Sequence, residues 1–341
     1  MAGLALSVPL LTSAGPFSSM YVFGDSLSDT GNTVAVLASQ NLGRPFPFAG
    51  PYNGGSFSNG PLWVEYLAYG LGLPGTAASF MVGGNNFAFA GARTNQFTSD
   101  GLPPLIAQSF GIFGSGGTLP AADPNALYVV VGGGNDVRAV RSGEPGASIG
   151  DAISGLTNTI GYLASIGAKN VLVANLPDLG LTPEAALLQL LSGGALPTSA
   201  SSAATAAFNG ALAGAIPLWE GGFNVDINLL DLAGISSYVF NHAATYGFTN
   251  TTLPCNGFLG AGGLIYIALD PANVAASQGT SCDASVFSDI LHPSARLHAI
   301  FGADALALYG IIPEPDSLAL FGLALVGLVW SQRRKLVARA V

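Results

Sequence analysis

Charged side chains are scarce in this sequence: Asp, Glu, Lys and Arg make up only 9% of its 341 residues. A disordered chain combines high charge with low hydrophobicity, and here half the residues are hydrophobic. Intrinsic disorder is therefore excluded. Basic residues are scarcer still, with Lys and Arg together numbering 10. That is too few to build the positive face that a nucleic acid requires. Long apolar runs are also missing. The uncharged stretches 185–219 and 232–269 are broken by Gly, Pro, Ser, Thr and Asn, which excludes a protein crossing the membrane repeatedly. The 47 glycines follow no three-residue period, so a collagen-like chain is excluded. Three histidines and two cysteines form no cluster at metal-ligand spacing, and neither a metal nor a cofactor is expected. What remains is a globular protein of one or two domains.

The few charges are unevenly placed. Arg333, Arg334, Lys335 and Arg339 lie in the last nine positions, and Lys169 is the one lysine before them. Residues 1–312 carry six basic and seventeen acidic side chains, a balance of −11. Such a surface suits neutral substrates or an extracellular setting better than anionic polymers. Ahead of the basic cluster stands Ile312-Pro313-Glu314-Pro315-Asp316, then an apolar run over 318–330. The run is short for a stable span of roughly 20 residues and shows no polar helical face. Its basic flank would remain cytoplasmic and leave the body outside. An amphipathic last helix packed on the body is the other reading. The arrangement resembles the PEP-CTERM sorting signal. That resemblance implies export, processing by an exosortase-type enzyme and transient membrane insertion through 318–330. Residues 1–18 read as a remnant signal peptide or a disordered lead, since Leu4 to Leu11 is mostly apolar and no positive segment precedes it. Cys255 and Cys282, 27 apart, read as a disulfide in an exported protein, with two unpaired structural cysteines as the alternative.

The body alternates strand and helix patterns. Met20–Phe23, Asn86–Ala90, Ala126–Val131, Val171–Ala174 and Phe223–Leu230 read as strands. Helical periods cover about 27–40, 62–71, 148–166, 183–192 and 200–215, with one more near 234–246, and a final helix from Pro293 to Tyr309. Continuous apolar strands between helices predict a parallel sheet covered on both faces, with the ligand crevice at the strands' carboxyl ends.

Four blocks at those ends carry the possible chemistry. Ser26, in Gly24-Asp25-Ser26-Leu27, follows a strand and precedes a helix, where an exposed hydroxyl sits near a helix N-terminus. An ordinary N-capping serine is the other reading. Gly91 follows the 86–90 segment and can offer a bare backbone N–H. Asn135 follows three glycines that lack the spacing and lysine of a phosphate loop. Asp289 stands three residues before His292. At that spacing a carboxylate reaches the imidazole Nδ1–H and leaves Nε2 free to take a proton. A capping Asp beside a surface His is the alternative. His298 reads as structural.

These blocks, in this order, resemble the SGNH/GDSL family of serine esterases and lipases. The resemblance spans roughly 20–310, including the stretch from Phe57 to Ala68 and that from Tyr246 to Asn250. It implies a three-layer α/β/α sandwich around a parallel, flavodoxin-like five-stranded sheet, the SGNH hydrolase fold. The domains expected are 1–18, a hydrolase over 19–311, and the sorting tail 312–341. The resemblance also implies Ser26 as nucleophile, His292 as general base and Asp289 as its orienting partner. The Ser26 N–H, the Gly91 N–H and the Asn135 amide form the implied oxyanion hole. The chain departs from the family at Ser56, where Arg is common, and at Ser288, where an aromatic is common and whose small size is expected to open the rim. The function expected is hydrolysis of small acyl esters or O-acylated glycans at the cell surface or outside the cell. Acyl transfer, O-deacetylation of extracellular polysaccharide, and a catalytically silent matrix protein on the same fold are the alternatives.

Overall fold

The computed structural model describes residues 15–39, 55–98, 101–113, 121–255 and 280–311. The expected leader therefore falls mostly, and the expected sorting tail wholly, outside the described residues. Phe17 packs edge-on against Tyr309, so residues 15–18 lie against the body.

Strand β1 (Met20–Gly24) opens the fold and is followed by α1 (Asn32–Ser39) and α2 (Trp63–Gly70). Then come β2 (Leu127–Val131), α3 (Gly134–Arg141), α4 (Ile149–Ser165) and β3 (Asn170–Ala174). Next are α5 (Pro183–Leu191), α6 (Thr198–Phe223), β4 (Asp226–Leu230) and α7 (Leu232–Asn241). The short strands β5 (Asn250–Pro254) and β6 (Ser285–Phe287) pair with each other, and α8 (Ala295–Ala307) is the last helix of the described chain.

The main sheet is parallel, in the order β1-β2-β3-β4. Its strands are largely apolar, as burial on both faces demands. Successive residues alternate between two cores. Phe23, Tyr128, Val130, Val171 and Val173 face one core with Leu156 of α4 and Phe208 of α6. Met20, Val22, Leu127, Val129 and Leu172 face the other with Trp63 of α2 and Phe301 of α8. This is the expected three-layer sandwich.

The fifth strand position is filled without a regular strand. Segment 85–89 runs parallel to β1. Val22 N donates to Asn85 O, Phe87 N donates to Val22 O, and Phe89 N donates to Gly24 O. The Asn32 side-chain amide donates to the carbonyls of Asn86 and Ala88. Counting this segment, the order becomes the flavodoxin-like one.

Several boundaries differ from expectation, such as the last main-sheet strand, which begins at Asp226 because Phe223 still belongs to α6; three of the others have clear local reasons. Helix α1 starts at Asn32, because Asp29 gathers the N–H groups of Gly31, Asn32 and Thr33 and caps it there. Helix α6 continues through Pro217 to Phe223, because the extra turns bury Trp219, whose Nε1 donates to Thr157 of α4. Burial outweighs the lost helical hydrogen bond. Helix α8 starts after Ser294, because Pro293 bridges back to Phe287. Among the described residues no helix is long and apolar enough to cross a membrane.

Cys255, just after β5, and Cys282, just before β6, form a disulfide with Cα atoms 4.7 Å apart. Closing a loop of this size stabilises a fold by about 3 kcal/mol in the chain-entropy model. The staple also fixes the strand that leads into Ser288 and Asp289.

His298, on α8, is fully buried and accepts the Trp63 backbone N–H at Nδ1. Burial, and then the nearby His292, hold its imidazole down from 6.5 to about 3. Below pH 6.5 the unfolded chain takes up a proton that the folded chain refuses, so stability falls as pH drops from 6.5 toward 3. Asp25, pushed up to about 6 by burial, acts in the opposite sense between 6 and 3.8. Comparing the parent with His298→Asn isolates the histidine. The parent's Tm is expected to fall more steeply with acid than the variant's, and parallel thermal-melt curves would refute this.

Candidate active site

Ser26 lies on the turn that leaves β1. Asp25 O accepts the N–H groups of Ser28 and Asp29, and Asp25 Oδ1 accepts that of Leu27. The serine thus sits on a capped turn ahead of α1, rather than at the helix N-terminus itself. Its Oγ is 2.9 Å from His292 Nε2. His292 Nδ1 is 2.6 Å from Asp289 Oδ2. Asp289 is buried, and its other oxygen accepts the backbone N–H groups of Leu291 and His292. Residues 266 apart in sequence are therefore joined in one hydrogen-bonded line.

The loop bearing His292 is closed tightly. Ser288 N donates to His292 O, Ser294 N donates to Val286 O, and Phe287 bridges Pro293. Ser288 itself is fully buried, and its hydroxyl donates to the carbonyls of His292 and Pro293. The expectation that its small side chain opens the rim is thus corrected: it braces the histidine loop from beneath. The stretch 57–59 supports the same loop from outside. Phe57 packs against the His292 ring with centroids 5.4 Å apart. Ser58 Oγ donates to Pro293 O, and Asn59 Oδ1 accepts the Ala295 N–H at the start of α8. Sequence reasoning assigns these three residues no role.

Gly91 has a φ of +77°, a conformation that disfavours any side chain. The preceding Ala90 N–H is anchored on Asp29 and Thr33. Asn86 ties the same segment to the serine turn, donating to Ser28 O. Gly133, before α3, has a φ of +112°, and a Cβ there would lie 2.3 Å from the Phe208 ring. Glycine is therefore required for α3 to begin where it does, with Asn135 in its first turn. The Asn135 amide donates to Ala92 O at 3.0 Å, and its Oδ1 accepts from Arg138 at 2.9 Å.

Ser26, Asn135 and His292 share the wall of a cavity of about 160 Å³. Leu27, Leu176, Leu179, Phe240, Phe287 and Leu291 give it an apolar lining. Gly91 lines a neighbouring polar cavity of about 620 Å³, which shares Asn135 and Arg138 with the first and adds Arg93, Arg141, Glu144 and Glu184. Asp25 also borders the apolar cavity. Burial raises its carboxyl to about 6, against the opposing pull of the Leu27 N–H and His292.

Residues 20–305 match the family model described as GDSL-like lipase/acylhydrolase. Residues 312–335 match the PEP-CTERM protein-sorting motif, which marks proteins for export and surface sorting. Lipase 1 of Photorhabdus luminescens is 31% identical over 194 residues, covering 56% of this chain and 27% of that protein. The phosphatidylcholine-sterol acyltransferase of Aeromonas hydrophila is 31% identical over 193 residues, covering 53% of this chain and 51% of that protein. The chain thus spans about a quarter to a half of the length of these curated relatives. Among solved structures, a lipolytic protein of the G-D-S-L family from Veillonella parvula aligns at 13% identity with a TM-score of 0.40, covering 86% of this chain and 98% of that one.

Proposed function

This chain belongs to the GDSL-like lipase/acylhydrolase family, and from that premise we propose that it is an exported serine esterase acting through an acyl-enzyme on Ser26. The observation that carries the reading is the line from Ser26 Oγ through His292 to Asp289, at 2.9 and 2.6 Å.

A serine hydroxyl is a weak nucleophile until a base takes its proton. His292 Nε2 accepts that proton as Ser26 Oγ bonds to the ester carbonyl carbon. Asp289 holds the Nδ1–H tautomer and steadies the imidazolium that forms. The carbonyl electron pair moves onto oxygen. The Ser26 N–H, the Gly91 N–H and the remaining N–H of the Asn135 amide receive that oxyanion. On collapse, the alcohol leaves with the proton from His292. Water then attacks the acyl-enzyme, His292 takes its proton, and the carboxylic acid departs as Ser26 regains its hydrogen. His292 must be neutral at the start of each half.

The apolar cavity takes the acyl chain, and its small volume favours short acyl groups on neutral esters or acylated glycans. Cleavage of the tail by an exosortase-type enzyme, after transient insertion of 318–330, delivers the body to the surface. Transfer of the acyl group to a second alcohol uses the same relay with that hydroxyl in place of water, and the acyltransferase named among the relatives favours this as the alternative.

The test pairs a fluorophosphonate probe with nitrophenyl esters from acetyl to palmitoyl and with acetylated xylan. Labelling on the peptide containing Ser26, with turnover highest at the short acyl chains, is the expected result. No labelling and no turnover of any ester would mark the protein as a silent member of the fold.

A further inference from the structure

The oxyanion donor Asn135 is held by groups that the reaction itself does not use. A side-chain amide has one carbonyl oxygen and two N–H groups, and it serves an oxyanion only when an N–H faces it. Here one N–H donates to Ala92 O, and the carbonyl oxygen accepts from Arg138 Nη1. Turning the amide over would set oxygen against the Ala92 carbonyl and N–H against a guanidinium. Both contacts would be repulsive, so the two neighbours fix one orientation and leave the second N–H for the substrate.

Arg138 stands about one helical turn beyond Asn135 on α3. Its guanidinium is held in turn by Glu184 of α5, which accepts from Nε at 3.1 Å and pairs with Nη2. Arg141 pairs with the same carboxylate. Burial works against ionisation of Glu184, but the two arginines outweigh it and hold its carboxyl below the usual range. The backbone N–H of Glu184 donates to Ile290 O at 2.7 Å, between Asp289 and His292. A continuous chain of contacts therefore runs from Ala92, beside Gly91, through Asn135, Arg138 and Glu184 to the histidine loop.

We propose that Arg138 is a positioning residue for ester hydrolysis, which orients and polarises the Asn135 amide as an oxyanion donor while Glu184 locks it to the histidine loop. The proposal rests on the reading of Asn135 as such a donor. A cation on the amide oxygen draws electrons from the N–H bond and strengthens what that bond can donate. A salt bridge with only a structural role would stabilise the fold and leave the amide's contribution to kcat untouched.

A double-mutant cycle separates the two. Arg138→Met, Asn135→Ala and the combined variant are compared for kcat and KM on nitrophenyl acetate, with Ser26→Ala as control. Each single variant is expected to lower kcat by about tenfold or more, toward the roughly 10²–10³ typical of a lost oxyanion donor, with KM within about twofold. In the Asn135→Ala background, Arg138→Met should cost less than about threefold further, because its target is gone. An equal cost in both backgrounds, or a change confined to KM, overturns the proposal. Should Arg138→Met fail to fold, Arg138→Lys carries the same cycle, since a single ammonium cannot bond Asn135 and Glu184 in the planar fork geometry. Parental kcat in Asn135→Ala, with Ser26→Ala inactive, overturns the positioning role alone. Full hydrolysis by Ser26→Ala overturns the esterase reading and this proposal with it.

Discussion

Replacing Ser26 by alanine is expected to lower kcat/KM for a nitrophenyl ester by about 10⁴- to 10⁶-fold. The substitution removes one oxygen from a largely buried residue and nothing else. The Ser26 hydroxyl bonds His292 Nε2, so the variant forfeits one hydrogen bond, worth about 1 kcal/mol, and keeps its packing. The turn is built on Asp25 and does not need the hydroxyl. Tm should therefore move by only a few degrees while the rate collapses. What activity survives would come from the remaining oxyanion donors acting on bound ester attacked by water. A variant that kept even a tenth of the parental rate would mean that the acyl group never rests on Ser26.

Asp289→Asn is the more informative of the two substitutions, because the surrounding donors dictate how the new amide sits. Asp289 Oδ1 accepts two backbone N–H groups, from Leu291 and His292. The amide oxygen of asparagine must stay there, which turns its NH₂ toward His292 Nδ1. A donor facing Nδ1 requires that nitrogen to be unprotonated, and neutral His292 then carries its hydrogen on Nε2. In that tautomer the imidazole donates to Ser26 Oγ and cannot take its proton. A loss of about 10⁴-fold in kcat follows, with little change in the loop's geometry. Single-turnover kinetics with a nitrophenyl ester give the rate, and the nitrogen chemical shifts of His292 report the tautomer. A kcat within tenfold of the parent, with Nδ1 still protonated, would show that another group sets the histidine.

Of the line through Ser26, His292 and Asp289, only the pairing of Asp289 with His292 is suggested by local spacing; their link to Ser26 comes from the family resemblance. A carboxylate and an imidazole three residues apart can meet within one loop, and a serine at the end of an apolar strand has few places to point. The sheet is legible too, since strands such as Leu127–Val131 are uniformly apolar, with glycines following. The supporting layer is not. Phe57 against His292, Ser58 on Pro293 and Glu184 beside Arg138 are contacts between residues far apart in the chain. No local pattern announces them. The irregularity of the fifth strand position is hidden in the same way. Asn86 and Asn32 spend their side chains on backbone groups that a regular strand would pair, and only the folded arrangement shows it. The expected end of a helix near 215 errs in the other direction, because the turns beyond it, through Pro217, bury Trp219.

The distance of 266 residues between the proposed nucleophile and its proposed base also sets a clock. A chain emerging from the ribosome presents Ser26 early and His292 late. Until α8 docks against α2, the serine has no partner to accept its proton. On the proposed mechanism the growing polypeptide passes through synthesis with its hydroxyl inert, and the first turnover is expected to coincide with the completion of folding. Ester hydrolysis measured during refolding should appear in step with the slowest structural phase and never ahead of it.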